Sequence, residues 1–284
     1  MRAFSYVHAD VFTDTVLRGN GLAAVFCDRF FADDVMLDLA REFKQFETIF
    51  LSGFDGGSVQ ARIFTMEGEL PFAGHPVLGA AAALHGREGA GQEEMRLLFR
   101  LPEKDVQIES IRTDKGYRAV MRQGAPVFIG TLPAEEAAWL ARAHSLLPED
   151  LDGSLPLEVV STGLPYVLLP VRGCLERARV AVRDLEARIA GYGARYTYLF
   201  DPATLEARTW DNLGLVEDSA TGSAAGPLCA YLARHGRVRE KEVLTIRQGQ
   251  YANRPSVLRA WMEAGEAYVA GDVAIFAEGR FVVP

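Results

Sequence analysis

Two apolar segments that each begin with glycine dominate the hydrophobic pattern of this chain. They cover residues 74–84 and 222–232, begin 148 positions apart in a chain of 284 residues, and are each followed by a His-Gly pair. Because such segments are apolar on nearly every side, they predict two helices that are buried all round and that stop at the His-Gly pairs. A buried helix start presents free N–H groups and a partial positive charge, so the pattern predicts two anion-binding helix ends.

Shorter patterns predict a surface helix and several strands before each buried helix. Apolar residues spaced by three and four predict the first surface helix over 33–45, and a second amphipathic helix begins near 133. β-branched and aromatic stretches predict strands in both halves. Those strands lie near 4–12, 22–26, 48–51, 59–65, 95–101, 157–162, 166–171, 196–200, 243–247, 257–262, 267–269 and 273–276, with a short helix near 185.

The order of strands, surface helix, strands and buried helix occurs twice. This repetition predicts an α+β fold built from two similar halves that face each other. A stretch rich in glycine and proline around 120–133 marks the boundary between them. We therefore expect halves over 1–124 and 125–276, and we leave open a return of the last strand, about 277–284, to the first half.

Composition and charge narrow the class of ligand. The formal net charge is −8, which disfavours a nucleic acid or an anionic membrane as partner and favours a small molecule. The three cysteines are far apart and have no metal-ligand spacing, so no disulfide framework and no zinc site are expected. The first residues lack the apolar core of a signal peptide, and no apolar run is long enough to span a bilayer. These features predict a cytoplasmic protein.

Three polar residues that interrupt apolar sequence are the candidates for acid/base chemistry. No common cofactor-binding or nucleophile motif is present, so no cofactor is demanded. Glu47 lies among Phe46, Ile49 and Phe50, where desolvation would favour proton transfer near neutral pH, although an exposed acid in a strand is the common alternative. His75 begins the first buried helix and could instead be a structural histidine. Asp218 precedes the second buried helix and could equally be a capping or turn-forming acid.

Other candidates are ligand-binding groups. Thr221 and Ser223 flank the start of the second buried helix, and the Ser223 hydroxyl is better suited to donate a hydrogen bond to an anion than to act as a nucleophile. Asn20, between two glycines, is either a turn residue or a ligand contact. Cys229 lies inside an apolar segment, which indicates core packing.

Taken together, these segments resemble the phenazine-biosynthesis PhzF-like family of isomerases, which is related in fold to diaminopimelate epimerase. The similarity extends over nearly the whole chain. The motifs that carry it are Asp-Val-Phe-Thr-Asp at 10–14 with Gly-Asn at 19–20, Glu-Thr at 47–48, Arg-Ile-Phe-Thr at 62–65, Pro-Phe-Ala-Gly-His at 71–75, Glu-Asp-Ser-Ala-Thr-Gly-Ser-Ala at 217–224 and Arg-Pro-Ser at 254–256.

The resemblance implies two domains, each a mostly antiparallel, barrel-like sheet around one central helix, with the active site in a cleft where the helix starts meet. It implies that Glu47 transfers the proton, with His75 and Asp218 beside it. It also implies that no cofactor is used and that the protein forms a homodimer. The substrate would be a small molecule that carries a carboxylate, held by Asn20, Gly74, Thr221, Gly222 and Ser223.

This sequence departs from the family pattern in ways that bear on the reaction. Related epimerases use a pair of cysteines, whereas the corresponding positions here hold Ala73 and Thr221, which disfavours a two-thiol mechanism. Phe46 stands where a small polar residue is common, and Ser219 stands where proline is frequent, so the substrate could differ from the phenazine precursor. The alternatives to an isomerase are an epimerase of a small amino or hydroxy acid and a non-catalytic protein that binds a metabolite.

Overall fold

The computed structural model of the protein describes residues 2–283 and has a mixed α+β, sheet-dominated fold. The chain divides into two compact units. The first unit contains the chain up to Arg122 and the part from Ala270 onward, and the second contains Gln123–Val269. The C-terminal segment that returns to the first unit therefore begins at Ala270.

The first unit contains two α-helices and the first eight strands, of which β8 ends two residues beyond Arg122. The helices are α1 (Asp33–Phe43) and α2 (Gly74–Glu88). The strands are β1 (Arg2–Val11), β2 (Asn20–Cys27), β3 (Glu47–Ser52), β4 (Ser58–Phe64), β5 (Glu69–Leu70), β6 (Glu94–Arg100), β7 (Asp105–Thr113) and β8 (Gly116–Gly124).

The second unit contains three helices and the later strands. The helices are α3 (Ala134–Ala143), α4 (Leu185–Ala190) and α5 (Gly222–Arg234). The strands are β9 (Val127–Thr131), β10 (Glu158–Ser161), β11 (Pro165–Pro170), β12 (Tyr196–Phe200), β13 (Glu206–Arg208), β14 (Leu244–Gln248), β15 (Ser256–Glu263) and β16 (Glu266–Val283), of which β16 continues into the first unit.

In the first unit, the sheet closes around α2. The strand order is β1-β2-β3-β4-β6-β7-β8-β16, and β16 pairs back on β1 in the register Arg2↔Val283 to Val11↔Val273. Helix α2 packs against β1, β2, β3, β6 and β7. Its residues from Gly74 to His85 are all buried, so the predicted burial on every side is confirmed.

The two units use the same order of connections. In the first unit, α1 joins the parallel pair β2 and β3, and α2 lies between the parallel strands β4 and β6. In the second unit, α4 joins the parallel pair β11 and β12, and α5 lies between the parallel strands β13 and β14. Two parallel strands can be joined only by a crossover connection. Each buried helix therefore lies, along the chain, between the two strands of a parallel pair.

Two sequence predictions about element ends are corrected by the structure. Helix α2 does not stop at His85-Gly86 but continues to Glu88, and the N–H of the next residue, Gly89, donates to the His85 carbonyl. The His85 side chain does not cap the helix but contacts Ser110 Oγ at 3.0 Å and the Gln92 carbonyl at 3.1 Å. The strands predicted at 267–269 and 273–276 are one strand, β16. In the last part of β16, half-buried residues alternate with exposed ones and none is fully buried, so the sequence there lacks the apolar pattern that predicts a strand. The stop predicted for α5 at His235 is confirmed.

Gly79 shows how closely α2 approaches the sheet. A Cβ atom at this position would lie 2.5 Å from Leu22 Cδ2 and 2.8 Å from Val11 Cγ2. We expect Gly79→Ala to lower the free energy of unfolding by about 1–3 kcal/mol because the added methyl group overpacks the core. Urea unfolding measures this change. Gly57→Ala is the control, since a Cβ atom there meets nothing within 4 Å, and an equal loss in both variants would contradict the close-packing argument.

Candidate functional site

Glu47 and His75 form a buried pair in the first unit. Glu47 is the first residue of β3 and His75 is the second residue of α2, and their side chains are 9 % and 6 % exposed. The distance from Glu47 Oε2 to His75 Nε2 is 3.1 Å. The two groups are close enough for a hydrogen bond but are not aligned for one in this structure.

The parallel pairing of β2 and β3 places Asn20 and Glu47 at the same edge of the sheet. Leu22 pairs with Glu47, so Asn20 at the start of β2 lies at the edge where α2 begins. Asn20 is 2 % exposed, and its Nδ2 lies 3.4 Å from His75 Nδ1. The sequence candidates Asn20, Glu47, Gly74 and His75 are therefore gathered at one end of the first unit.

His75 is a neutral imidazole at physiological pH. Burial lowers the pKa of His75 from its usual value of 6.5 to about 3, and a hydrogen bond to the backbone of Gly21 acts weakly in the opposite direction. The contact with Glu47 is therefore not an ion pair at neutral pH. A neutral imidazole beside a carboxyl group can orient that group, and it can also exchange a proton with it.

The start of α2 provides hydrogen-bond donors without a side-chain cap. The N-cap residue is Ala73, whose methyl side chain cannot accept a hydrogen bond from the first turn. The N–H groups of Gly74 and His75 therefore lie at the positive end of a buried helix with no N-cap oxygen to neutralise them. This arrangement suits a carboxylate ligand or developing negative charge.

The second group of candidates lies around the start of α5 in the second unit. The Asp218 carboxylate accepts a hydrogen bond from the Thr221 hydroxyl at 2.6 Å and another from the Ala220 N–H at 3.2 Å. Asp218 thus forms the turn before α5, as one of the two sequence interpretations proposed, and its side chain is half-buried. Thr221 is the N-cap residue of α5 and is buried.

Gly222 and Ser223 begin α5 and contact residues that the sequence analysis did not single out. The Gly222 carbonyl accepts a hydrogen bond from Gln123 Nε2 at 2.9 Å. The Ser223 hydroxyl lies 2.6 Å from the hydroxyl of Tyr166. The Tyr166 ring is tilted against that of Tyr196 and meets that of Tyr198 edge to face. The described contact of the Ser223 hydroxyl is thus a hydrogen bond with a tyrosine, and its predicted role as a donor to an anion stays a prediction. Burial raises the pKa of the Cys229 thiol to about 12, which agrees with its predicted role in the core.

Three further observations concern metal binding, membrane-spanning helices and cavities. Within residues 2–283, no group of three or more histidine, cysteine, aspartate or glutamate side chains could hold a metal ion. None of the helices in the same range has the length and hydropathy needed to cross a membrane. A cavity of about 590 Å³ in the first unit lies at the other end of α2, against Leu84, Arg87 and Glu88, and so does not contain Glu47 or His75.

Comparisons with known proteins identify the family of this chain. The model of the phenazine biosynthesis-like proteins matches residues 9–279. The chain belongs to this family. It is 36 % identical over 294 residues to the trans-2,3-dihydro-3-hydroxyanthranilate isomerase of Pseudomonas aeruginosa, which covers 97 % of this chain and 98 % of that enzyme. The corresponding enzyme of Pseudomonas fluorescens is 34 % identical over 303 residues, covering 98 % of this chain and 99 % of that enzyme.

A solved structure shows the same fold along the chain. The structure of a predicted epimerase from Pseudomonas aeruginosa has a TM-score of 0.94 and 45 % identity, and it covers 99 % of this chain and 100 % of that one. The resemblance that the motifs indicated is therefore confirmed. The curated relatives in this family are named isomerases, and this chain is an isomerase.

Proposed function

We propose that this protein is a cofactor-independent isomerase that moves a proton within a small carboxylate-bearing substrate, with Glu47 as the group that carries the proton. The observation that carries the proposal is the buried Glu47–His75 pair beside the uncapped start of α2. It supplies a proton carrier, a neutral neighbour that holds it, and N–H donors for negative charge, which are the parts such a reaction needs.

The first candidate substrate is trans-2,3-dihydro-3-hydroxyanthranilate, because the curated relatives are named as isomerases of this compound. It carries a carboxylate, and its isomerisation removes a proton from one carbon and returns a proton to another. We propose that Glu47 accepts the first proton and delivers the second. His75, which stays neutral at physiological pH, places Nε2 3.1 Å from the Glu47 carboxyl, where it can act as a relay for the proton.

The candidates of the second unit are assigned to the same reaction. We propose Asp218 as a second acid/base group. We also propose Thr221, Gly222 and Ser223 of the second unit, and Asn20 and Gly74 of the first, as substrate-binding groups. The repeated order of parallel pairs and crossover helices supports the further proposal that the two units are pseudo-symmetric, each with one central helix whose start carries chemistry.

Epimerisation is the second candidate reaction because the structure that shares 45 % identity is described as a predicted epimerase. An epimerase could use Glu47 and Asp218 as its two acid/base groups. A two-thiol version is disfavoured, since the N-cap residues of the two buried helices are Ala73 and Thr221.

Solvent exchange distinguishes these reactions. Wild-type protein, dialysed against EDTA and supplied with no cofactor, is incubated in D₂O with trans-2,3-dihydro-3-hydroxyanthranilate and with a panel of small cyclic and amino carboxylates, and the products are followed by NMR. We expect deuterium incorporation together with a shifted double bond. Deuterium incorporation with inversion at a stereocentre would favour the epimerase, and a need for an added cofactor or metal would contradict the proposal.

A further inference from the structure

Gln248, which the sequence analysis did not single out, holds the segment that carries Asp218. It is the last residue of β14 and its side chain is fully buried. Its Nε2 donates hydrogen bonds to the Asp218 carbonyl at 2.8 Å and to Thr221 Oγ1 at 2.9 Å. Its Oε1 accepts hydrogen bonds from the Tyr198 hydroxyl at 2.9 Å and from the Thr221 N–H at 3.2 Å. All four hydrogen-bonding positions of the amide are therefore used.

The backbone fixes the orientation of this amide. The Thr221 N–H can only donate a hydrogen bond and the Asp218 carbonyl can only accept one, so Oε1 must face the former and Nε2 the latter. A buried network in which every member is satisfied is rigid, and the loss of one partner leaves the others without compensation.

The same orientation sets the direction of the Thr221 hydroxyl. Oγ1 accepts a hydrogen bond from Gln248, so the single hydroxyl proton is directed to the Asp218 carboxylate, 2.6 Å away. Gln248 thus acts on Asp218 in two ways: it holds the backbone on both sides of the turn, and it directs the proton of the hydroxyl that contacts the carboxylate.

Gly249 supports the turn from the next position. Its φ is +82°, and a Cβ atom there would lie 2.4 Å from the Ser219 carbonyl oxygen and 2.2 Å from the Arg254 carbonyl oxygen. Only glycine lets the backbone approach the turn this closely. Gln248 and Gly249 therefore act together to hold residues 218–221 in place.

We propose that Gln248 is a positioning residue that sets the place and hydrogen bonding of the Asp218 carboxylate for the proton-transfer reaction. This inference rests on the acid/base role proposed for Asp218. It goes beyond that role, because it assigns the geometry of the carboxylate to a residue 30 positions further along the chain.

The first test does not require the reaction. Amide NMR compares wild type with Gln248→Leu and Gln248→Glu, and with Thr197→Val as control. The Thr197 hydroxyl lies 2.9 Å from His144 Nε2, so its loss also leaves a buried polar group without its partner while every hydrogen bond of the Gln248 side chain is kept. We expect the Thr221 amide to lose protection from hydrogen exchange in Gln248→Leu, which removes its acceptor, and to keep it in Gln248→Glu, which retains an acceptor oxygen. The Ala220 amide signal should move in both variants, because both lose the Nε2 hydrogen bonds to the turn. Both signals should be unchanged in Thr197→Val.

The second test measures the reaction with trans-2,3-dihydro-3-hydroxyanthranilate, or with whichever carboxylate of the panel wild type converts. Gln248→Leu is expected to lower kcat by roughly 10- to 100-fold with little change in KM, since a small misplacement of an acid/base group acts on the chemical step. Thr221→Val, which removes the hydroxyl that contacts the Asp218 carboxylate, should also lower kcat. Combining Thr221→Val with Gln248→Leu should cost less than the sum of the two single changes, because both act through one chain of hydrogen bonds.

Each result has a separate meaning. Unchanged Ala220 and Thr221 amides in Gln248→Leu would overturn the positioning role whatever the reaction. Altered amides with wild-type kcat would also overturn it, because the position of Asp218 would then not matter to the chemistry. A loss of kcat in Thr197→Val equal to that in Gln248→Leu would assign the effect to stability alone. Failure of the wild-type protein to convert any compound would count against the proposed function, while the amide signals would still decide whether Gln248 holds the turn.

Discussion

Replacing Glu47 by glutamine is expected to lower turnover by about 10²- to 10⁴-fold, which is the usual contribution of a positioned acid/base group. Glutamine has nearly the shape of glutamate and keeps a polar contact with His75, but it cannot accept or release the proton that the reaction moves. Binding of 3-hydroxyanthranilate, a stable aromatic analogue of the candidate substrate, should therefore change much less than turnover. Deuterium exchange in D₂O and calorimetric titration measure the two effects.

The chain contains a matched control for this experiment. Glu158 is also buried, and its Oε2 lies 3.2 Å from His235 Nε2, so it forms a second glutamate–histidine pair that has no proposed part in the reaction. Glu158→Gln is expected to leave turnover unchanged. An active Glu47→Gln enzyme would exclude Glu47 as the proton carrier, and an equal loss in both variants would indicate damage to folding.

The sequence could predict the first group of candidates because its signals are local. A glycine-led helix that is apolar on all sides must be buried, and its start must present N–H groups. A glutamate between aromatic and aliphatic residues at the start of a strand lies at the same sheet edge as the start of the neighbouring strand if the two strands are parallel. The structure has this parallel pairing between β2 and β3, which brings Glu47 to within 3.1 Å of His75.

Gln248 and Tyr166 could not be predicted in the same way. The partners of Gln248 lie 27 to 50 positions away along the chain, and Tyr166 meets Ser223 across 57 positions. A glutamine at the end of a strand and a tyrosine in a strand are ordinary residues, and only tertiary packing gives them their partners. The one local signal was the Gln-Gly pair, because glycine directly after a strand often marks a close approach of the backbone.

His144 gives the fold a dependence on pH that arises outside the candidate site. It follows α3 and is fully buried. Its Nδ1 donates a hydrogen bond to the Leu140 carbonyl at 2.8 Å, so in the neutral ring Nε2 accepts one from the Thr197 hydroxyl at 2.9 Å. A second proton on Nε2 would place a charge in the core and would require that hydroxyl to turn away. Burial lowers the pKa of His144 from its usual value of 6.5 to about 4 in this environment.

We therefore expect the free energy of unfolding to fall as the pH is lowered from about 6.5 to about 4. In this window the unfolded chain binds a proton at His144 that the folded chain does not bind, so acid favours unfolding. One pKa unit corresponds to about 1.4 kcal/mol, and the loss from His144 alone is on the order of 3 kcal/mol by pH 4. His75 acts in the same direction, because burial lowers its pKa to about 3. Urea unfolding at a series of pH values measures the slope.

His144→Asn separates this contribution from general acid sensitivity. Asparagine can still donate to the Leu140 carbonyl but does not titrate, and it leaves the Thr197 hydroxyl without its partner. The variant should therefore be less stable than wild type at pH 8, with a shallower decline below pH 6.5, so that the two curves approach each other towards pH 4. Parallel curves would show that His144 does not stay neutral in the folded protein, and the decline would then have to arise from other groups.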